Sequence, residues 1–106
     1  MSFEIRFHDV PHSDKTRGEC EELAQGLEAE FPETEKFEVT VSRNGELYET
    51  HLHVTGRHLS VNSSAESREL RDTMVEAFEK AHTQLRKHHD KQIYGRRREG
   101  QKSSPK

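Results

Sequence analysis

The sequence predicts an α+β fold of order β-α-β-β-β-α, a four-stranded sheet with two helices packed on one face. Three observations carry that expectation. Four short segments alternate apolar and polar residues, the period of a half-buried strand. Two others repeat apolar residues at three- and four-residue spacing, the stripe of an amphipathic helix. Turn residues punctuate the boundaries, with Pro11, Pro32, Asn44-Gly45 and Gly56 at the breaks. A one-sided sheet and one-sided helices bury their apolar faces against each other, which gives a two-layer domain.

Phe3, Ile5 and Phe7 alternate with Glu4, Arg6 and His8, so the chain opens with a strand. Pro11 ends it, Ser13 is placed to cap a helix, and Asp14 sits where the helix dipole favours an anion. Cys20, Leu23, Ala24, Leu27 and Phe31 then fall on one helical face, and Pro32 stops the run. Gly18 and Gly26 weaken this helix by about 1 kcal/mol each relative to Ala, so packing has to hold it. Phe37, Val39 and Val41 form a second strand. Asn44-Gly45 suits a type I′ hairpin, in which both central residues take positive φ. The returning strand sets Tyr48, Thr50, Leu52 and Val54 on one face and Glu49, His51 and His53 on the other. Leu59 and Val61 suggest a short fourth strand, and Asn62 to Ser67 reads as a polar, capping-rich connection. A long helix from about Ser67 to His89 or beyond follows, with Leu70, Met74, Ala77, Phe78, Ala81, Leu85 and His88 facing inward. After Tyr94 no apolar residue remains, so residues 1–94 are expected to form the domain and 95–106 a basic disordered tail.

Composition narrows the function. In 106 residues, 35% are charged and 28% apolar, with no Trp, which predicts a folded core of modest size. The net charge of −3 hides an asymmetry. Residues 1–50 hold 5 Lys/Arg against 13 Asp/Glu, whereas residues 51–106 hold 12 against 7. An acidic body with a basic end is a polyanion-binding pattern that the overall charge conceals. The single Cys20 allows no disulfide within the chain and no multi-thiolate metal site. The first residues are too polar for a secretory signal, and no apolar run nears the ~20 residues that span a bilayer. A cytosolic, cytoplasmic protein without a membrane partner is expected.

The basic end offers the one surface with chemistry of its own. At 100° per residue, Lys80, Lys87 and Lys91 lie within about 40° of one another on the last helix. His82, Arg86 and His89 form a second polar stripe beyond the apolar seam. Ammonium groups so spaced meet successive phosphates of a nucleic acid, and a solvated helix face explains them equally well. Arg96, Arg97 and Arg98 extend the same positive end and favour RNA. Eight histidines raise a metal site, with His51 and His53 on one strand face and His8 and His58 placed near by neighbouring strands. There is no HExxH, so exposed strand histidines are the better reading and no metal or cofactor is expected. Cys20 lies on an apolar helix face, where an inert thiol is the default. With no phosphate loop and no nucleophile elbow, the chain is not read as an enzyme and has no small-molecule substrate.

Leu52-His53-Val54-x-Gly56 and Ser64-Ala65-Glu66, leading into a helix that closes on Gln84-Leu85-Arg86-Lys87-His88-His89-Asp90-Lys91, resemble the ribosome hibernation-promoting factors. That family includes the ribosome-associated translation inhibitors, known as protein Y or sigma-54 modulation proteins. The resemblance covers about residues 3–93 and implies the short form, which lacks a C-terminal dimerisation domain. It implies a partner in the small ribosomal subunit and its rRNA, in the channel used by messenger and transfer RNA. There the factor inhibits translation under stress, starvation or stationary phase. The family's rRNA-facing lysines map onto Lys80, Lys87 and Lys91, with His89 where lysine is usual. The resulting rRNA-binding set is Lys80, Arg86, Lys87, His89, Lys91, Arg96, Arg97 and Arg98, carried by a chain expected to be monomeric off the ribosome. The chain departs from the family at Gln25 to Glu30 of the first helix, where relatives carry lysines and this chain is acidic, at Glu69 to Thr73 opening the last helix, and in a longer turn after Val54. Two alternatives stand beside this reading. One is a double-stranded-RNA-binding-like module, whose α-β-β-β-α order is contained in this one. The other is a protein-interaction module that uses the acidic first helix.

Overall fold

The computed structural model describes the backbone of residues 1–101 and the side chains of residues 1–88. Its elements are β1 (Ser2–His8), α1 (Asp14–Glu30), β2 (Thr34–Asn44), β3 (Leu47–Gly56), β4 (Leu59–Ser67) and α2 (Leu70–Gln101). One sheet has the order β1-β2-β3-β4, with β1 parallel to β2 and the other pairs antiparallel. The expected α+β class, element order and one-sided helix layer are all present.

Alternation on the strands builds the core. Phe37, Val39 and Val41 of β2, Leu52 and Val54 of β3, and Leu59 and Val61 of β4 are buried towards the helices. Cys20, Ala24, Leu27 and Phe31 cover them from α1, and Met74, Phe78, Ala81 and Leu85 from α2. Ser13 begins α1 in an extended conformation, and its Oγ accepts from the Thr16 N–H at 3.2 Å. Phe31 ends it, donating its N–H to the Leu27 carbonyl at 2.7 Å just before Pro32.

Three local expectations need correction. The β2–β3 hairpin loop is Gly45-Glu46, because Asn44 pairs with Leu47. Only Gly45 takes positive φ there, at 68°, which is the type II′ pattern with glycine first rather than type I′ on Asn-Gly. Asn62 to Ser67 is strand, making β4 nine residues long. Its inward residues Ser63 and Ala65 are small, so α2 approaches closely, and the polar one is satisfied. Ser63 Oγ donates to the Ala77 carbonyl at 2.8 Å, and Thr73 Oγ1 donates to the Ala65 carbonyl at 2.7 Å. With the chain still extended through Ser67, α2 starts at Leu70 rather than near Ser67. Finally, His58 occupies the β3–β4 turn beside the Thr34 end of β2, whereas His8 pairs with Ser42 at the opposite end. The two histidines are not neighbours.

Gly56 is required by close approach. The β2 register shifts between Thr34 and Lys36, which brings the Glu33 carbonyl against the end of β3. A Cβ on Gly56 would lie 2.1 Å from the Glu33 oxygen and 2.9 Å from Thr34 Cα.

The α2 backbone runs to Gln101, past the boundary at 94/95 drawn from composition. Side chains from His89 onward, and all of residues 102–106, lie outside the described residues, and the division into domain and basic tail remains an expectation.

Candidate nucleic-acid interface

The outward side of α2 begins where its inward stripe has been used against β3 and β4. Phe78, Ala81 and Leu85 are buried, which fixes the rotation of the helix and turns Lys80, Gln84 and Lys87 outward over the β4 edge or solvent. Lys80 Nζ donates to the Ser64 carbonyl at 3.0 Å and lies 3.6 Å from Glu76 Oε2. One turn on, Gln84 Nε2 donates to the Asn62 carbonyl at 2.7 Å. These two side chains take up carbonyl oxygens that an edge strand otherwise leaves to solvent or to another chain.

The next turn differs. Arg86 and Lys87 are exposed, and neither has an ion pair or hydrogen bond among the described residues. An outside anion meets them without displacing any partner among the described residues. Of the expected rRNA-binding set, then, the structure brings Arg86 and Lys87 to the surface without a partner among the described residues and ties Lys80 to β4. His89, Lys91, Arg96, Arg97 and Arg98 lie outside the described side chains. His82, grouped by helical angle with Arg86, faces α1. Its Nε2 donates to Glu30 Oε1 at 2.9 Å, and its ring meets Phe31 edge-on at 5.4 Å between centroids.

Elsewhere Lys15, Arg17, Arg57, Arg68 and Arg71 are also exposed, but they are dispersed, and Arg68 and Arg71 adjoin Glu69 and Asp72 in sequence. Glu19, Glu22 and Glu30 of α1 and Glu79 of α2 border the shallow groove between the helices. On the open face of the sheet, His53 Nδ1 donates to Glu38 Oε1 at 3.2 Å, and its Nε2 accepts from Ser60 Oγ at 3.1 Å in that tautomer. Lys36 beside Glu38, and then the His53 hydrogen bond, hold the Glu38 carboxyl below its usual range. His51 pairs with Glu49 at 3.1 Å. Among the described residues no three His, Cys, Asp or Glu side chains converge on a point a metal ion could occupy. Cys20 is fully buried, and burial pushes its thiol up to about 12, so it is no nucleophile near neutral pH. Among the same residues no helix is long and apolar enough to cross a membrane.

Sequence reading missed the clasp of Lys80 and Gln84 on β4 and the Glu38–His53–Ser60 chain. Both join residues distant in sequence, and only strand pairing and helix docking bring them together.

The family model described as sigma 54 modulation protein / S30EA ribosomal protein matches residues 3–93. No curated protein matches the chain in sequence. Among solved structures, a ribosomal subunit interface protein from Coxiella burnetii superposes with a TM-score of 0.80 at 20% identity, covering 85% of this chain and 99% of that one. The N-terminal domain of Thermus thermophilus protein Y superposes at 0.76 with 18% identity, covering 83% of this chain and 99% of that one. At such identities the structural likeness establishes the fold.

Proposed function

Because the chain belongs to the sigma 54 modulation protein / S30EA ribosomal protein family, we propose that it binds the small ribosomal subunit through rRNA and holds the ribosome inactive. The site is the channel otherwise filled by messenger and transfer RNA, and the occasion is stress or starvation. The observation that carries this reading is the adjacent pair Arg86 and Lys87, exposed on α2 without a partner among the described residues and leading into the basic C-terminal end of the chain. An rRNA backbone presents phosphates at regular spacing, and cations held on a rigid helix meet them without ordering cost in the helix itself. Lys91 and the Arg96-Arg97-Arg98 run continue the same sequence and belong to the proposed interface. The acidic α1 restricts contact to the α2 end, because carboxylates facing phosphates are repelled.

The similar structures, a ribosomal subunit interface protein and the N-terminal domain of protein Y, support the same partner. Purified small subunits mixed with the chain and pelleted through sucrose at low salt should carry it down. Translation of a reporter in a purified system should fall as the chain is added. Arg86→Glu with Lys87→Glu should weaken both effects together while the circular dichroism spectrum stays unchanged. A chain that remains in the supernatant while subunits pellet removes this function.

A further inference from the structure

Both edges of an open sheet carry unpaired N–H and C=O groups, and folded proteins guard such edges. The two edges here are treated differently. Lys80 and Gln84 cover the carbonyls of Ser64 and Asn62 along β4. Among the described residues, no strand lies on the outer side of β1 and no side chain bonds to its backbone there.

The open strand is also self-complementary. Its centre reads Phe3-Glu4-Ile5-Arg6-Phe7. Reversed about Ile5, phenylalanine falls opposite phenylalanine and glutamate opposite arginine. We propose that β1 pairs antiparallel with β1 of a second copy of this chain, about a twofold axis through the Ile5 pair, so that two four-stranded sheets join into one.

Both faces of the strand support that register. On the open face Glu4 and Arg6 have side chains 48% and 64% exposed, joined only by a 3.6 Å contact along the strand. In the dimer each Glu4 stands directly across from Arg6 of the second copy, the arrangement in which opposite charges on paired strands attract. Parallel in-register pairing sets Glu4 against Glu4 and Arg6 against Arg6, so charge selects the antiparallel form. On the helix side Phe3, Ile5 and Phe7 are only half-buried, although their β2 neighbours Phe37, Val39 and Val41 are buried. A strand on the outer side covers what β2 and α1 leave open. The axis stands perpendicular to the sheet, as isologous pairing of one strand with itself demands, so both helix layers remain on one side. α2 lies across the sheet against β4 and β3 and stays accessible in both copies. The inference replaces the sequence expectation of a monomer and is independent of the proposed ribosome contact.

Sedimentation equilibrium of the full chain, from about 5 µM to about 1 mM, tests it over the range in which a single strand pair is expected to associate. The mass should rise from 12.4 kDa towards twice that value. Glu4→Arg and Arg6→Glu each place like charges in both cross-strand pairs and should weaken self-association about tenfold or more. Mixing the two variants restores opposite charges and should recover the dimer. Neither residue touches the core, and circular dichroism of each variant should match the parent. A parent chain that stays monomeric throughout overturns the proposal. So does a single variant that dimerises as well as the parent, or a mixture that fails to recover the dimer.

Discussion

Lys80 and the Arg86/Lys87 pair share one helix, yet they should give separable phenotypes. Lys80→Met keeps the aliphatic stem but removes the ammonium that donates to the Ser64 carbonyl at 3.0 Å and lies 3.6 Å from Glu76. The side chain is 52% exposed, so solvent screens the ion pair, which is worth little. The hydrogen bond to an edge carbonyl sits at the low end of the usual range, and about 0.5–1 kcal/mol of stability should be lost. For a domain of this size that corresponds to a fall in Tm of roughly 2–8 °C. Arg86→Gln with Lys87→Gln removes no contact among the described residues, so stability should stay within about 0.5 kcal/mol. If both meet phosphates, the double variant should flatten log K against log[salt] by about 1.4–1.8, at about 0.7–0.9 per phosphate. Thermal melts and salt titrations of small-subunit binding read the two effects separately. A salt slope reduced by Lys80→Met as much as by the double variant, with Tm unchanged, refutes the assignment of Lys80 to the β4 edge. An unchanged slope in the double variant removes Arg86 and Lys87 from the interface.

Further predictions rest on single contacts. Gly56→Ala forces a Cβ to within 2.1 Å of the Glu33 backbone oxygen and should destabilise by about 2–4 kcal/mol, read by denaturant midpoint. A site elsewhere on the surface, such as Gly18→Ala, meets nothing within 4 Å and should instead stabilise α1 by up to about 1 kcal/mol. Glu38 should titrate below the ordinary carboxylate range by NMR, and Lys36→Met should raise it, because Lys36 is the main cause of the depression. A depressed native pKa stabilises the fold above the unfolded value and loses that contribution as pH falls through the native one, so the Lys36→Met chain should show a smaller acid-induced loss. Cys20, with its thiol at about 12 and no exposure, should react with a thiol reagent at pH 8 only at the rate of unfolding.

Much of the fold was legible because its signals are local. Alternation in Phe3 to Phe7 and Phe37 to Val41, and helical spacing from Cys20 to Phe31, report one-sided burial without reference to any other segment. The Ser63 to Ser67 portion of β4 was not legible. Its inward residues are small or polar, and what makes them strand is the Ala77 carbonyl and Thr73 hydroxyl that α2 supplies from across the layer. The hairpin was placed correctly and its turn type was not, because the register of Asn44 against Leu47 depends on pairing along the whole of β2 and β3.

By itself the sequence determined the element order, the sides of the first three strands, the buried thiol and the concentration of positive charge towards the C-terminal end. These follow from periodicity and composition, which are properties of neighbouring residues. Only the tertiary structure decided which of the described α2 cations is tied to the sheet. Lys80 and Lys87 occupy equivalent helical angles and differ solely because Lys80 lies over the Ser64 carbonyl of β4 and Lys87 extends past it. It decided likewise that His82 belongs to the α1–α2 contact through Glu30 and Phe31. The strand order also leaves β1 at an open edge, and there its reversible charge pattern acquires meaning. In each case the side chain's role is set by the group opposite it, and that group is placed by packing between segments far apart in the chain.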